Sequence, residues 1–156
     1  MSKLFTTNED VASFIENKFN ETGLSEYGVT LKIMSVTKAK EVIKTTKASA
    51  TTEFIAKKDS MIQVFIYEAA FERLDEEAKN MLAEMSFANI GYDLEKDKIV
   101  IDNRPYVSVF SMRKKYGDEF MNKLELSSIV IEEIEEEEKE RKLAEKEAKK
   151  NKSRNQ

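Results

Sequence analysis

The end of the chain, EEEEKERKLAEKEAKKNKSRNQ, holds almost no apolar side chain and therefore cannot help to build a hydrophobic core. From Asp118 to Ile134 apolar residues still recur at helical spacing, and there the stripe stops. Leu143 is too isolated to continue it as the heptad seam of a coiled coil. We predict a compact domain over residues 1–131 and a charged, solvent-exposed helical tail over residues 132–156.

Charges in this tail are spaced to support a helix that has no core to pack against. Charged residues make up 36% of the chain, well above the roughly 25% of ordinary globular proteins. Acids precede bases by four residues at Glu135 and Lys139, Glu137 and Arg141, Glu138 and Lys142, and Glu145 and Lys149. The acidic-to-basic gradient suits docking on a charged protein partner and equally suits solubility. The candidate partner-binding residues are Glu135, Glu138, Arg141, Lys142 and Leu143.

Ahead of the tail, alternating patterns and helix caps predict a small mixed domain. The expected elements are a helix from Asn8 to Gly23, a strand around residues 29–34, a central strand at 61–67, a helix between Asp75 and Gly91, and a hairpin across residues 92–101. Pro105 should interrupt any continuation of the hairpin. The fold class is α+β, with a small sheet, helices packed on one face and a long charged C-terminal helix.

Three segments are harder to interpret. Residues 38–53 are polar and weakly patterned, which is typical of a short helix or a mobile loop. The TEFIA stretch, residues 52–56, favours a short strand because it combines a β-branched and an aromatic residue. Residues 106–116 are amphipathic but short, so their pattern does not assign them to an element.

Two absences restrict the chemistry. The sequence has no histidine and no cysteine, which removes the commonest general base, the commonest zinc ligands and thiol nucleophiles. Its four glycines are scattered, so no glycine-rich phosphate loop can form. We therefore expect no enzyme and no cofactor. A carboxylate-only metal site at Asp93, Glu95 and Asp97 is the least favoured alternative, since Lys96 and Lys98 interleave and favour a charged turn.

Residues 82–93, LAEMSFANIGYD, have the frame of a zinc-protease helix. Ala83 and Phe87 stand where an HExxH motif has its two histidines, and Glu84 stands where the motif has its glutamate. With the preceding strand, residues 61–93 resemble the zincin-like core of small metallopeptidase-like proteins of tailed bacteriophages. The resemblance implies a strand-plus-helix arrangement, whereas the missing ligands argue against the family's metal and activity. We expect an ordinary amphipathic helix with Glu84 exposed to solvent.

Two basic segments suggest a second class of partner. Residues 38–58 hold six lysines against two glutamates, and a further basic cluster precedes Tyr116. Lysines on a polar segment can engage phosphates, and a tyrosine can stack on a base. The candidate nucleic-acid-binding residues are Lys44, Lys47, Lys57, Lys58, Arg113, Lys114, Lys115 and Tyr116.

Small proteins of this composition, with an α+β core and a charged terminal helix, resemble uncharacterised accessory proteins of tailed bacteriophages. The resemblance implies a viral protein that acts in the host cytoplasm by binding another macromolecule, most often a protein. Nucleic-acid binding through residues 38–58 and 113–116 is the alternative hypothesis. The chain has no apolar run of membrane-spanning length and no signal-peptide pattern at its start, so we expect a cytoplasmic protein without a membrane partner.

Overall fold

The computed structural model describes residues 2–104 and 106–156, so the predicted interruption at Pro105 lies outside the described residues. The main sheet contains β1 (Leu4–Phe5), β2 (Thr30–Val36), β3 (Ile43–Lys47) and β4 (Met61–Ile66), in the order β1-β2-β4-β3. The two inner strands, β2 and β4, are parallel, and each edge strand is antiparallel to its neighbour. A separate hairpin joins β5 (Ile90–Asp93) to β6 (Lys98–Ile101).

Helices cover one face of the main sheet, which confirms the predicted α+β class. They are α1 (Glu9–Glu21), α2 (Ala50–Ala56), α3 (Glu68–Phe71), α4 (Glu76–Phe87), α5 (Val107–Tyr116) and α6 (Asp118–Arg154). The first helix packs on β2 and α4, α4 packs on β3, and α6 packs on α3, α4 and α5. None of the helices in the described part of the chain is long and apolar enough to cross a membrane.

The core lies between the helices and the inner side of the sheet. On β4, Ile62, Val64 and Ile66 alternate with outward-facing residues and are fully buried, as expected for a central strand. From the helical side, Ile15 and Phe19 of α1 pack into the same cluster. A second apolar cluster of Met81, Met112 and Phe120 joins α4, α5 and α6.

The N-terminal ends of the major helices follow the sequence signals. Asn8 Oδ1 accepts a hydrogen bond from Asp10 N at 2.9 Å, and Asp75 Oδ1 accepts one from Ala78 N at 2.7 Å. Both side chains satisfy backbone donors that a helix leaves unpaired at its start. Gly117 separates α5 from α6 with a φ of 70°, a conformation that glycine adopts without the strain a Cβ would add.

Several predicted elements were wrong. Residues 43–47 form an edge strand and residues 50–56 a helix, where we expected a short helix or loop and a TEFIA strand. Ser49 accepts from Thr52 N at the start of α2, and Glu53 accepts from Met61 N at 3.2 Å. These bonds favour a helical turn over the strand propensity of TEFIA.

Other boundaries moved. The fourth helix ends at Phe87, and Gly91 lies in β5 instead of ending the helix. The amphipathic residues 107–116 form α5. The final helix runs to Arg154, and it passes through the proposed 131/132 boundary without a break.

Candidate nucleic-acid interface and neighbouring surfaces

The outer side of the main sheet faces away from the helices and carries positive charge. The strand register places Lys44, Phe65 and Met34 in one row across β3, β4 and β2. In the next row, Thr46, Gln63 and Lys32 lie side by side. We call these six residues the basic sheet face: Lys32, Met34, Lys44, Thr46, Gln63 and Phe65. Both of its charged side chains are exposed lysines.

A shallow groove of about 380 Å³ borders this face. It is lined by Lys44, Thr46 and Phe65 of the basic sheet face and by the loop that follows Val36, which contributes Lys38, Lys40 and Glu41. Together with Lys32, the surface holds four lysines and one glutamate, a charge of +3, whereas the whole chain carries −4. Positive charge is therefore concentrated on this side of the molecule, and the remainder of the chain is more acidic than the total suggests.

Only part of the predicted basic segment lies on this surface. Lys44 is on the basic sheet face, but Lys47 is in register with Ile62 and so belongs to the opposite side of β3, although its side chain is exposed. Lys57 and Lys58 follow α2, the short helix that connects β3 to β4. The same helix exposes Phe54 and Ile55, with 85% and 74% of their surfaces accessible.

Sequence reasoning missed Lys32 as a binding residue. In the sequence it is simply the polar member of an alternating strand, a pattern that indicates exposure but no partner. Lys32 comes close to Lys44 only because β2 pairs with β4 and β4 pairs with β3. These pairings join strands that are distant in the sequence, and a local sequence pattern does not predict them. The usual spacing of strands places the Cα atoms of Lys32 and Lys44 roughly 12 Å apart, on either side of β4.

The second predicted basic cluster lies elsewhere, at the end of α5. Lys115 Nζ and Tyr116 Oη each bind a carboxylate oxygen of Glu84, and Arg113 lies 3.9 Å from Asp118. Glu84, Lys115 and Tyr116 border a cavity of about 420 Å³ between α1, α4 and α5. Arg113 to Tyr116 are thus placed in the helical layer and largely engaged with carboxylates of the same chain. Lys114 is exposed there.

Glu84 is not the solvent-exposed residue that we expected. Its side chain is 32% exposed, and both carboxylate oxygens accept hydrogen bonds. Partial burial acts to raise the pKa of Glu84, but the bonds from Lys115 and Tyr116 outweigh it and hold the pKa below the usual value. The same contacts raise the pKa of Lys115 and of Tyr116. The expectation failed because Lys115 and Tyr116, 31 and 32 residues further along the chain, pack against α4.

The two positions that would carry zinc ligands in the HExxH frame lie in the core. Ala83 is fully buried, and Phe87 packs against Phe19 with ring centroids 5.8 Å apart. Among the described residues no three acidic side chains come together as a metal site. In the hairpin turn, Asp93 Oδ1 accepts from the backbone of Glu95 and Lys96, at 3.0 and 3.2 Å. The carboxylate of Asp93 thus caps a turn, as the interleaved lysines suggested.

The candidate protein-binding residues of α6 divide into two groups. Glu135 and Glu138 are half-buried beside the domain, where both act, after burial itself, to raise the pKa of Tyr67. Arg141, Lys142 and Leu143 are exposed. None of the four predicted acid-to-base pairs in the tail comes within 4.0 Å in the described chain.

Glu137, which we paired with Arg141, binds Arg73 instead. The guanidinium donates from Nη1 to Oε1 at 3.0 Å and from Nη2 to Oε2 at 2.7 Å. Ile134, one turn earlier, is buried. The domain therefore contacts α6 as far as residue 138, and beyond it every side chain of the helix is exposed.

No protein-family model, curated protein or solved structure matches this chain.

Proposed function

We propose that this protein acts by binding single-stranded nucleic acid on the basic sheet face. The observation that carries the proposal is the row of Lys44, Phe65 and Met34, flanked by Lys32 on the same side of the sheet. Positive charge on both sides of a half-buried aromatic ring is the combination that holds a phosphate backbone while an apolar surface receives bases. The surface thus offers affinity without requiring a particular base sequence.

The shape of the surface favours a single strand over a duplex. The face is shallow, and the six described residues that form it all lie on strands of the sheet, so they supply no helix that would enter a major groove. Lys38 and Lys40 line the groove on one side, and the exposed ring of Phe54 on α2 lies at the end where β3 leads into β4. A strand crossing the sheet would meet lysines along its backbone.

The predicted cluster at residues 113–116 contributes less to this proposal. Binding phosphates there would require Lys115 and Tyr116 to leave Glu84, whereas neither Lys32 nor Lys44 forms an ion pair among the described residues. The same internal contacts make a catalytic role for Glu84 the least supported of the functions considered, because a carboxylate held with a lowered pKa is a weak base.

Fluorescence anisotropy with a labelled oligonucleotide of about 20 bases tests the proposal, since two or more phosphate contacts should weaken binding by several-fold between about 50 and 200 mM salt. The double substitution Lys32→Glu and Lys44→Glu should reduce affinity at least about tenfold. Lys96→Glu with Lys114→Glu makes the same change in net charge on other surfaces and should have a much smaller effect. The absence of binding at low salt, or equal losses in both variants, would contradict the proposal.

A protein partner is the second candidate function, and the exposed end of α6 supports it. From Lys139 to Arg154 this helix forms no side-chain hydrogen bond or ion pair with another part of the described chain, yet it carries one large apolar side chain, Leu143, that is 59% exposed. A helix that is polar all round has no apolar face to pack on its own domain, and one of its known uses is to bridge solvent between domains. An accessory role in a tailed bacteriophage remains a prediction from the resemblance, and purification from infected cells would test it.

A further inference from the structure

Charges on the exposed half of α6 are arranged with opposite signs on either side of Leu143. Glutamates lie three, seven and eleven residues before it, and basic residues lie at the same distances after it: Glu140, Glu136 and Glu132, then Lys146, Lys150 and Arg154. At a distance of four the signs are reversed, with Lys139 before and Glu147 after. Each of these charges therefore has a counterpart of opposite sign at the mirrored position.

These positions form one face of the helix. At 3.6 residues per turn, offsets of three, four, seven and eleven bring side chains back to within about 60° of the starting direction. We call this set the Leu143 stripe: Glu132, Glu136, Lys139, Glu140, Leu143, Lys146, Glu147, Lys150 and Arg154. All nine side chains are exposed, and none takes part in an ion pair within the described chain.

The stripe faces away from the domain. Ile134 packs into the core, and Glu132 and Glu136 lie two residues to either side of it, about 200° around the helix. A second helix can thus lie along the stripe without displacing the contacts that hold α6 to its own domain. From Glu132 to Arg154 the available length is about 33 Å.

We propose that the Leu143 stripe is a self-association surface, on which α6 of a second copy of this chain lies antiparallel with the two-fold axis at Leu143. In that register Glu140 faces Lys146, Glu136 faces Lys150 and Glu132 faces Arg154, each pair occurring twice. The two Leu143 side chains meet at the axis. A two-fold contact requires a surface that is complementary to itself. The Leu143 stripe meets this requirement when the two-fold axis passes through Leu143.

Charge also selects the direction of the second helix. A parallel arrangement would place glutamate against glutamate and lysine against lysine along the whole stripe, which is unfavourable. Because exposed ion pairs are weak individually and are screened by salt, the dimer should be modest in affinity and strongly salt-dependent. Self-association gives the exposed end of α6 a partner and does not depend on nucleic-acid binding at the sheet.

Sedimentation equilibrium of the full chain measures this association. The mass should rise from one chain toward two with increasing protein concentration at about 50 mM salt, and should return to one chain at about 500 mM salt. Replacing the acids by Glu132→Lys, Glu136→Lys and Glu140→Lys should abolish association, since three of the four kinds of facing pair then become like-charged and only Lys139 with Glu147 keeps opposite signs. The base variant Lys146→Glu, Lys150→Glu and Arg154→Glu should do the same.

Mixing the two variants is the decisive measurement, because the acid variant and the base variant are again complementary and should form a heterodimer. Lys142→Glu, Lys149→Glu and Lys152→Glu change the net charge by the same amount as the base variant but lie off the stripe. This control should keep most of the association. Circular dichroism of each variant reports whether α6 is still helical.

Four results would overturn the inference: a single chain at all concentrations at low salt, association indifferent to salt, no heterodimer from the mixed variants that remain helical, or equal loss in the off-stripe control. Anisotropy with the oligonucleotide, repeated on the base variant, separates this surface from the sheet. Retained nucleic-acid binding with lost association is the expected result.

Discussion

The two halves of α6 belong to one continuous helix but are stabilised in different ways. In the first half, Phe120 is fully buried and Val130, Ile131 and Ile134 are nearly so, in contact with α3, α4 and α5. In the second half, beyond residue 138, every side chain is exposed. Most helical stability in proteins comes from packing of an apolar face, so only the first half is fixed by the domain. The second half is accessible to a partner, because its side chains are exposed in the described structure.

Truncating the chain within each half of α6 should give the largest difference in stability between the two halves. A chain ending at residue 128 loses Val130, Ile131 and Ile134, each worth about 1.5–3 kcal/mol of burial, which approaches the entire stability of a typical domain. We expect it to be unfolded by circular dichroism. A chain ending at residue 140 keeps these contacts, and its melting temperature should stay within about 2 °C of the full chain. Similar melting losses in both chains would contradict the division of α6.

Single substitutions should repeat the contrast on a smaller scale. Phe120→Ala removes a fully buried ring from the cluster with Met81 and Met112, and should lower the free energy of unfolding by about 3–5 kcal/mol. Leu143→Ala should change it by less than about 0.5 kcal/mol. Urea unfolding gives both values, in dilute protein and high salt so that self-association does not contribute. A large loss from Leu143→Ala under these conditions would show that the distal half packs on the domain.

How far the sequence predicted the structure depends on how locally each element is determined. The helix α4 and the strand β4 were confirmed because their apolar periodicity and the Asp75 cap lie within the element. The edge strand β3 was missed because edge strands carry polar and charged residues, here Lys44 to Lys47, and look like loops. The termination of the apolar stripe near Ile134 was read correctly, since it depends only on spacing.

The candidate sites were predicted less well because they depend on distant parts of the chain. Lys44 was identified from local charge, but Lys32 joins it only through the pairing of three strands. Glu84 was expected to be exposed, and its partners Lys115 and Tyr116 come from a helix whose position the sequence did not indicate. Charge runs can be read locally, whereas the side chains they meet are fixed by tertiary packing.

The ion pair between Arg73 and Glu137 lies at the boundary between the two halves of α6. Removing it should change the stability of the protein only slightly. The hydrogen bonds from Arg73 lower the pKa of Glu137, so the Glu137 carboxylate binds a proton less tightly in the folded state than in the unfolded chain. The stabilisation is therefore complete above the unfolded pKa of about 4.3 and is lost as the pH falls through the lower folded value.

Glu137→Gln should accordingly destabilise the protein slightly at neutral pH, and its difference from the unmodified chain should shrink below about pH 4. Urea midpoints measured across this range provide the test, and Glu145→Gln, in the distal half and outside any ion pair, is the matched control. Both side chains of the Arg73 pair are substantially exposed, so high salt should reduce the effect. If Glu145→Gln gave the same pH-dependent loss, the contact at residue 137 would not be the last one that joins α6 to the domain.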